Sequence, residues 1–231
     1  VSANVRNVEG ILNNTGYKQL NSRAAVSTSA LKDKLKIDFN ISYTKRDADL
    51  GDERAFEFAQ FYNPTAPVLA KDARYTVDTV QFGGYFESLG LFRSYNPVSI
   101  IEQTRNTRNS TDFNYNVNLN YSLGDSFDVT VRAAEQRTTS KDQLYRPTTL
   151  LFEGNAVSPT RRGFASHGTY DLSTKIYEVF GTWDQTWGET QMVITGGYSY
   201  NQINSNGMYM GLGDFPDNSL DYSDAIQNSQ D

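Results

Sequence analysis

Few residues in this chain are placed for bond chemistry. The single histidine, His167, sits in Ala165-Ser166-His167-Gly168-Thr169. A catalytic triad or a histidine-rich metal site needs partners beside it, so the preferred reading is a solvated loop histidine. Asp47, Asp49, Asp52 and Glu53 cluster in one stretch, and Asp214, Asp217, Asp221 and Asp224 in another. Carboxylates at that density can hold a hard cation such as calcium, but the first group does not have the spacing of an EF-hand loop. Solvated acidic loops are the preferred reading of both, with calcium as the alternative. There is no cysteine, which excludes disulfides, zinc-thiolate sites and thiol chemistry. Gly83-Gly84 is not followed by the Lys-Ser/Thr pair of a phosphate loop. Asn13-Asn14-Thr15 and Asn109-Ser110-Thr111 match a glycosylation sequon by chance. Glycoside hydrolysis needs two carboxylates at a fixed separation, which no pattern here defines. The chain is therefore read as a non-enzyme with no cofactor. The aromatics Phe56, Phe58, Tyr62, Tyr85, Phe86, Phe92 and Tyr95 remain. They can stack on sugars, pack on a lid protein, or form a small core of their own, and both the binding and the structural readings stand.

The elements that would carry such residues are strands. In Phe113-Asn114-Tyr115-Asn116-Val117-Asn118-Leu119-Asn120-Tyr121 every odd position is apolar or aromatic and every even position is Asn. A strand sends alternate side chains to opposite faces, so this one has an oily face and a wet face. Ser122-Leu123-Gly124-Asp125-Ser126 turns the chain, and Phe127, Val129, Val131 and Ala133 alternate with Asp128, Thr130 and Arg132. Leu35, Ile37, Phe39, Ile41 and Tyr43 alternate in the same way. So do Met192, Ile194, Gly196, Tyr198 and Tyr200, and weaker contrast runs from Lys18 to Ala30. Val1–Val8 reads as the end of a strand. In 170–185 Tyr177, Val179 and Trp183 are placed on one face against Glu178, Thr182 and Asp184, with Phe180 disturbing the count. A helix is predicted over Asp52–Tyr62, and another beginning at Pro97 with Asn96 as its cap.

The strands are long for a soluble domain. Tyr and Phe also sit near both ends of the apolar face, as in the girdles of a membrane barrel. The 231 residues are 38% hydrophobic, and the mean hydropathy of −0.58 resembles a soluble protein. Lumen faces and loops lower that average in a barrel. No apolar run is long enough for a transmembrane helix, so alternating strands are the other route across a bilayer. The net charge of −6 and the lack of a basic patch argue against nucleic acid. The connections alternate in length: short near Asp33, Gly124 and Gly188, long after Thr44, Arg137 and Tyr200. Irregular stretches are expected from Lys45 to about Arg108, from Thr138 to about Thr169, and from Asn204 onward. Short turns at one end and long loops at the other are the layout of an outer-membrane barrel.

Three loop segments carry a family likeness. Val8-Glu9-Gly10-Ile11-Leu12-Asn13-Asn14-Thr15-Gly16-Tyr17, leading into a strand with Arg23, resembles the first barrel strands of the SusC/RagA family of TonB-dependent outer-membrane transporters. Tyr62-Asn63-Pro64-Thr65-Ala66-Pro67-Val68 and Tyr95-Asn96-Pro97-Val98-Ser99-Ile100-Ile101-Glu102-Gln103 are similar to that family in the same order. The resemblance implies a barrel of about 22 strands closed inside by a plug. It also implies a SusD-like surface lipoprotein as lid, and TonB–ExbB–ExbD driving import of glycans or peptides in a Bacteroidota-type envelope. Plug and TonB box are not found in this segment.

The expectation is all-β: an antiparallel transmembrane β-barrel segment of about six or seven strands with long extracellular loops, spanning residues 1–231. Asn114, Asn116, Asn118, Asp128 and Arg132 are expected to face the lumen. Tyr62, Tyr85, Phe92 and Tyr95 are expected to meet substrate or lid. The apolar face would meet outer-membrane lipid. The alternatives are a soluble β-sandwich adhesin or carbohydrate-binding module, and a passive porin.

Overall fold

The computed structural model describes residues 1–74, 80–89, 95–151, 156–158, 161–215 and 218. Seven strands form one antiparallel sheet in sequence order: β1 (Ser2–Glu9), β2 (Gly16–Ala30), β3 (Leu35–Asp49), β4 (Arg105–Ser122), β5 (Phe127–Arg146), β8 (Phe164–Trp187) and β9 (Thr190–Gly213). A separate two-stranded hairpin, β6 (Ala156–Ser158) and β7 (Arg161–Arg162), lies in the connection between β5 and β8. Two short helices, α1 (Arg54–Ala59) and α2 (Pro97–Gln103), lie between β3 and β4. Among the described residues no helix is long and apolar enough to cross a membrane, a statement that leaves strands aside.

The fold class is as expected, and each short turn has its local cause. Leu31, Lys32 and Asp33 all take positive φ between β2 and β3, with the Asp33 carboxylate accepting from Ser29 Oγ. Gly188, at φ 59, serves the tightest connection, β8 to β9, where a Cβ is disfavoured. α2 starts as predicted: the Asn96 side chain accepts from the Val98 and Ser99 N–H groups, and Pro97 opens the first turn. α1 is shorter than the predicted span, covering Arg54–Ala59.

The strands run further toward the long connections than the sequence pattern indicates. β3 continues to Asp49, β5 to Arg146 and β9 to Gly213, and β8 begins at Phe164. Two expectations are corrected as a result. The third long connection does not open at Asn204, because Asn204 pairs with Ser173 within the β8–β9 ladder. His167 is a half-buried strand residue of β8 paired with Gln143 and Met210, not a loop residue. These extensions carry polar residues on both faces, so the ladder persists without the contrast that reveals it in a sequence.

The buried apolar cluster lies in the connections, not against the sheet. Ala55, Phe58, Ile100 and Leu150 pack together, flanked by Tyr95 and Ile101. Among the described residues no second layer covers the sheet, and Val26, Ile194 and Tyr198 stay 56%, 49% and 68% exposed.

Candidate functional site

The register sorts every strand residue onto one of two faces. Phe39 pairs with Val117, Val117 with Ala133, Ala133 with Tyr177 and Tyr177 with Tyr200. Adjacent strands thus place their apolar sets side by side. One face carries Leu20, Ala24 and Val26 of β2, then Leu35–Tyr43, Phe113–Tyr121, Phe127–Ala133, Tyr177–Trp183 and Met192–Tyr200 at alternate positions. Phe180 belongs to the opposite face, so Tyr177, Val179 and Trp183 do share a side. The Phe113–Tyr121 run is close to the about 9–11 tilted residues that cross a hydrocarbon core.

The belt has aromatic rims and a slanted edge. Toward the long connections it ends at Tyr43, Phe113, Tyr177 and Tyr200, with Tyr177 and Tyr200 stacked at 6.4 Å. Toward the short turns it ends at Tyr121, Phe127, Trp183 and Trp187, the two indoles lying 5.5 Å apart. Tyr43 pairs directly with Phe113. Phe113, however, pairs with Arg137, and the belt in β5 stops short of it at Ala133. The boundary therefore steps by four residues along the ladder between β4 and β5, while it keeps register from β3 to β4 and from β5 through β8 to β9. A level boundary drawn across tilted strands does this, and tilt is what barrel closure requires. Beyond the rim the same face turns polar, with Lys45, Thr111, Glu135 and Lys175, and further out the Arg137–Asp171 ion pair at 2.6 Å.

The opposite face is hydrogen-bonded across strands. Asn114, Asn116, Asn118, Asp128 and Arg132 all lie on it. Asn118 Oδ1 accepts from Arg132 Nε at 3.4 Å, and Arg132 lies 3.7 Å from the Glu178 carboxylate and 5.0 Å above the Phe180 ring. Ser122 Oγ donates to Asp128. Asn114 Nδ2 reaches Ser42 Oγ at 3.4 Å, and Asn116 pairs with Asn40 and Ala134. The five residues thus form one wet surface with Thr130, Asp38 and Asn120. Tyr170, Leu172 and Ile176 interrupt it on β8, a departure the alternation did not indicate.

The long connections meet in a cap at one end of the sheet. Asn96, fully buried, is its hub: Nδ2 donates to Val68 O at 2.8 Å and to Phe86 O at 3.0 Å, while Oδ1 caps α2. The Asn96 N–H donates to Glu87 Oε2 at 3.0 Å. Burial pushes the Glu87 carboxyl up to about 7, against the hydrogen bonds from Asn96 and Ser99. Tyr62 Oη donates to Pro67 O, Tyr95 packs edge-on against Phe58 at 5.1 Å, and Tyr85 is half-buried beside its bridge to Leu69. Phe92 lies outside the described residues. The cap's outer surface carries Phe56 and Phe61, 53% and 52% exposed. Thr149 Oγ1 donates to Gln103 Oε1, joining the β5–β8 connection to α2, and Phe215 stacks on Tyr145 at 5.8 Å.

The acidic stretch near the cap is engaged by cations of the protein itself. Asp52 accepts a bidentate pair from Arg54, 2.9 and 2.7 Å, and a third bond from buried Arg146 at 2.9 Å. Burial pushes its carboxyl up, but the Arg54 hydrogen bonds and the two guanidinium charges outweigh this and hold it low. Asp47 faces away on β3, accepting from Asn109 Nδ2. Asp47, Asp49, Asp52 and Glu53 therefore do not converge on a cation, and among the described residues no three His, Cys, Asp or Glu side chains do so. Asp214 directly follows β9 at positive φ. Asp217, Asp221 and Asp224 lie outside the described residues.

Taken together, fold and faces define an open antiparallel wall, oily on one side and wet on the other, capped at one end by interlocked connections. Solved structures of the RagAB peptide importer in its closed-closed and open-open states superpose on it with TM-scores of 0.68 and 0.65, and one of the RagAB peptide transporter with 0.68. Sequence identity is 12% in each case, and the match covers 94% of this chain and 23% of that chain. The likeness is one of fold. No family profile and no curated protein sequence matches the chain.

Proposed function

We propose that this chain is part of the barrel wall of a TonB-dependent outer-membrane transporter. It would import glycans or peptides beneath a SusD-like surface lipoprotein and be energised through TonB–ExbB–ExbD by regions outside residues 1–231. The slanted, aromatic-rimmed belt supports this reading above all else. A belt of that height on one face, with amides and charges on the other, is what a wall between acyl chains and a wet lumen needs. The superposition on the RagAB importer agrees with it. On this reading Asn114, Asn116, Asn118, Asp128 and Arg132 face the lumen. The cap meets lid and substrate through Tyr85, Phe56 and Phe61, on a scaffold that Tyr62 and Tyr95 brace.

Fractionation of cells making the full-length protein, with brominated lipids added to the purified form, tests the reading. It expects the protein in the outer-membrane fraction, with heat-dependent migration in detergent gels and quenching of Trp183 and Trp187 fluorescence by bromine near the interface. Recovery in the soluble fraction without detergent would end it.

A further inference from the structure

Charge is segregated across β1–β3. The polar face of these strands carries Arg6, Arg23, Lys36 and Arg46 against one carboxylate, Asp38, in a chain of net charge −6. The nearby carboxylates Glu9, Asp47 and Asp49 fall on the other face, because alternation sends Arg46 one way and Asp47 the other. Arg6 and Arg46 both pair with Gln19 across the ladder. Their guanidiniums share one ring, lying 5.7 and 4.0 Å from the centroid of Tyr17. Arg23 lies further along β2, exposed above a groove of about 180 Å³ lined by Asn40, Ser42, Asn114 and Asn116. Among the described residues the side chains of Arg6, Arg23 and Arg46 have neither hydrogen-bond nor ion-pair partners. Arg108, Arg132, Arg137 and Arg146 each lie against a carboxylate: Asp142, Glu178, Asp171 and Asp52.

We propose that Arg6, Arg46 and Arg23 form an anion-binding strip on the lumen wall that engages carboxylate groups of the imported substrate. The proposal rests on the barrel reading, which turns this face toward the lumen. Two guanidiniums held on one ring without a counter-charge repel each other, and an incoming carboxylate relieves that repulsion through charge-assisted, bidentate hydrogen bonds. The Tyr17 ring fixes the two forks, so little side-chain freedom is lost on binding. Arg23, about four strand residues from Gln19 and so roughly 13 Å away, would take a second carboxylate of an extended substrate. The neighbouring amides of Asn40, Asn114 and Asn116 would bond its neutral parts. The ligand chemistry is thus an oligomer bearing carboxylates at intervals, either an acidic oligopeptide or a uronic-acid glycan.

The test uses the full-length protein in detergent, with binding read by fluorescence polarisation at low and high salt. The probes are a labelled hexaglutamate and its hexaglutamine counterpart, and an oligogalacturonide and its methyl ester. One acidic probe should bind about tenfold more tightly than its neutral counterpart, and the preference should fall with salt. Which acidic probe does so distinguishes peptide from glycan. R6Q, R23Q and R46Q combined should abolish the preference without changing the affinity of the neutral probe. The proposal is overturned if neither acidic probe is preferred. It is also overturned if the preference survives in the triple variant, or if the variant keeps it and loses only resistance to protease, which would assign the arginines to a carboxylate of the protein itself. Outer-membrane location and heat-dependent migration, scored on the same preparations, report separately on the barrel reading.

Discussion

Val117 offers the sharpest test of which side of the sheet meets lipid. It sits in the middle of the Phe113–Tyr121 run, pairs with Phe39 on one side and Ala133 on the other, and lies between the two aromatic rims. If the belt spans a bilayer, Val117 is near the midplane. An arginine there destabilises a barrel by about 2–4 kcal/mol, and the same change near the interface by about 0–1 kcal/mol. V117R should therefore lower folding stability by roughly 2–4 kcal/mol, and Y121R, at the rim toward the short turns, by about 1 kcal/mol or less. N116R and N118R, one position away on the opposite face, should be nearly neutral because a wet lumen solvates the charge. The assay is denaturant-induced unfolding of the full-length protein in bilayers, followed by tryptophan fluorescence and by heat-dependent migration. Equal penalties for V117R and Y121R would refute the depth argument. A larger penalty for N118R than for V117R would show that the faces are reversed.

The cap yields further predictions. N96A removes the α2 cap and the two side-chain bonds to Val68 O and Phe86 O at once; it should cost the cap about 2 kcal/mol or more and raise hydrogen exchange across 60–103 while the ladder of β4 and β5 stays protected. E87Q bears on pH. The folded-state pKa of Glu87 is raised from 4.5 to about 7, so stability is greatest below the unfolded pKa, falls as pH rises between the two values, and has lost on the order of 3 kcal/mol above pH 7. Gln should flatten that slope in protease-resistance measurements of the cap, and an unchanged slope would absolve Glu87. D52N acts in the opposite sense. The Asp52 pKa is lowered, so its contribution is present above the unfolded value of 3.8 and fades as pH falls through the folded value. The variant leaves Arg146 buried beside a neutral amide, at a cost of about 3–5 kcal/mol, read as faster exchange at the loop end of β5. F58A should empty the small core, cost about 3–5 kcal/mol locally, and leave the Trp183 and Trp187 signals unchanged.

What the sequence makes legible follows the environment each residue meets. Between Phe113 and Tyr121 one face is apolar and the other amide-rich, so the strand, its faces and its turn can be read directly. In 201–213 one face carries Asn201, Ile203, Ser205 and Tyr209 and the other Gln202, Asn204, Asn206, Met208 and Met210, so polar and apolar residues mix on both. The backbone ladder holds the strand there, and no periodicity records it. Asn96-Pro97 announces its helix because capping is local chemistry. The grip of Arg146 on Asp52 joins positions far apart in the chain, and no local pattern reaches that far. The arginine strip lies between these cases. Arg6, Arg23 and Arg46 sit on the wet parity of their strands, but their isolation from carboxylates emerges only when three strands are placed side by side.

The excess length of the strands has a physical consequence. β9 runs for 24 residues, where about 9–11 suffice to cross a bilayer. If the belt spans a bilayer and ends at Tyr200, the remainder up to Gly213 continues as hydrogen-bonded sheet outside the hydrocarbon, rising roughly 30 Å at barrel tilt. The cap would then stand on a stiff chimney instead of resting on the lipid surface, its height set by backbone pairing. On the transport reading proposed above, cargo would enter well above the headgroups, through an opening whose position is decoupled from fluctuations of the membrane below.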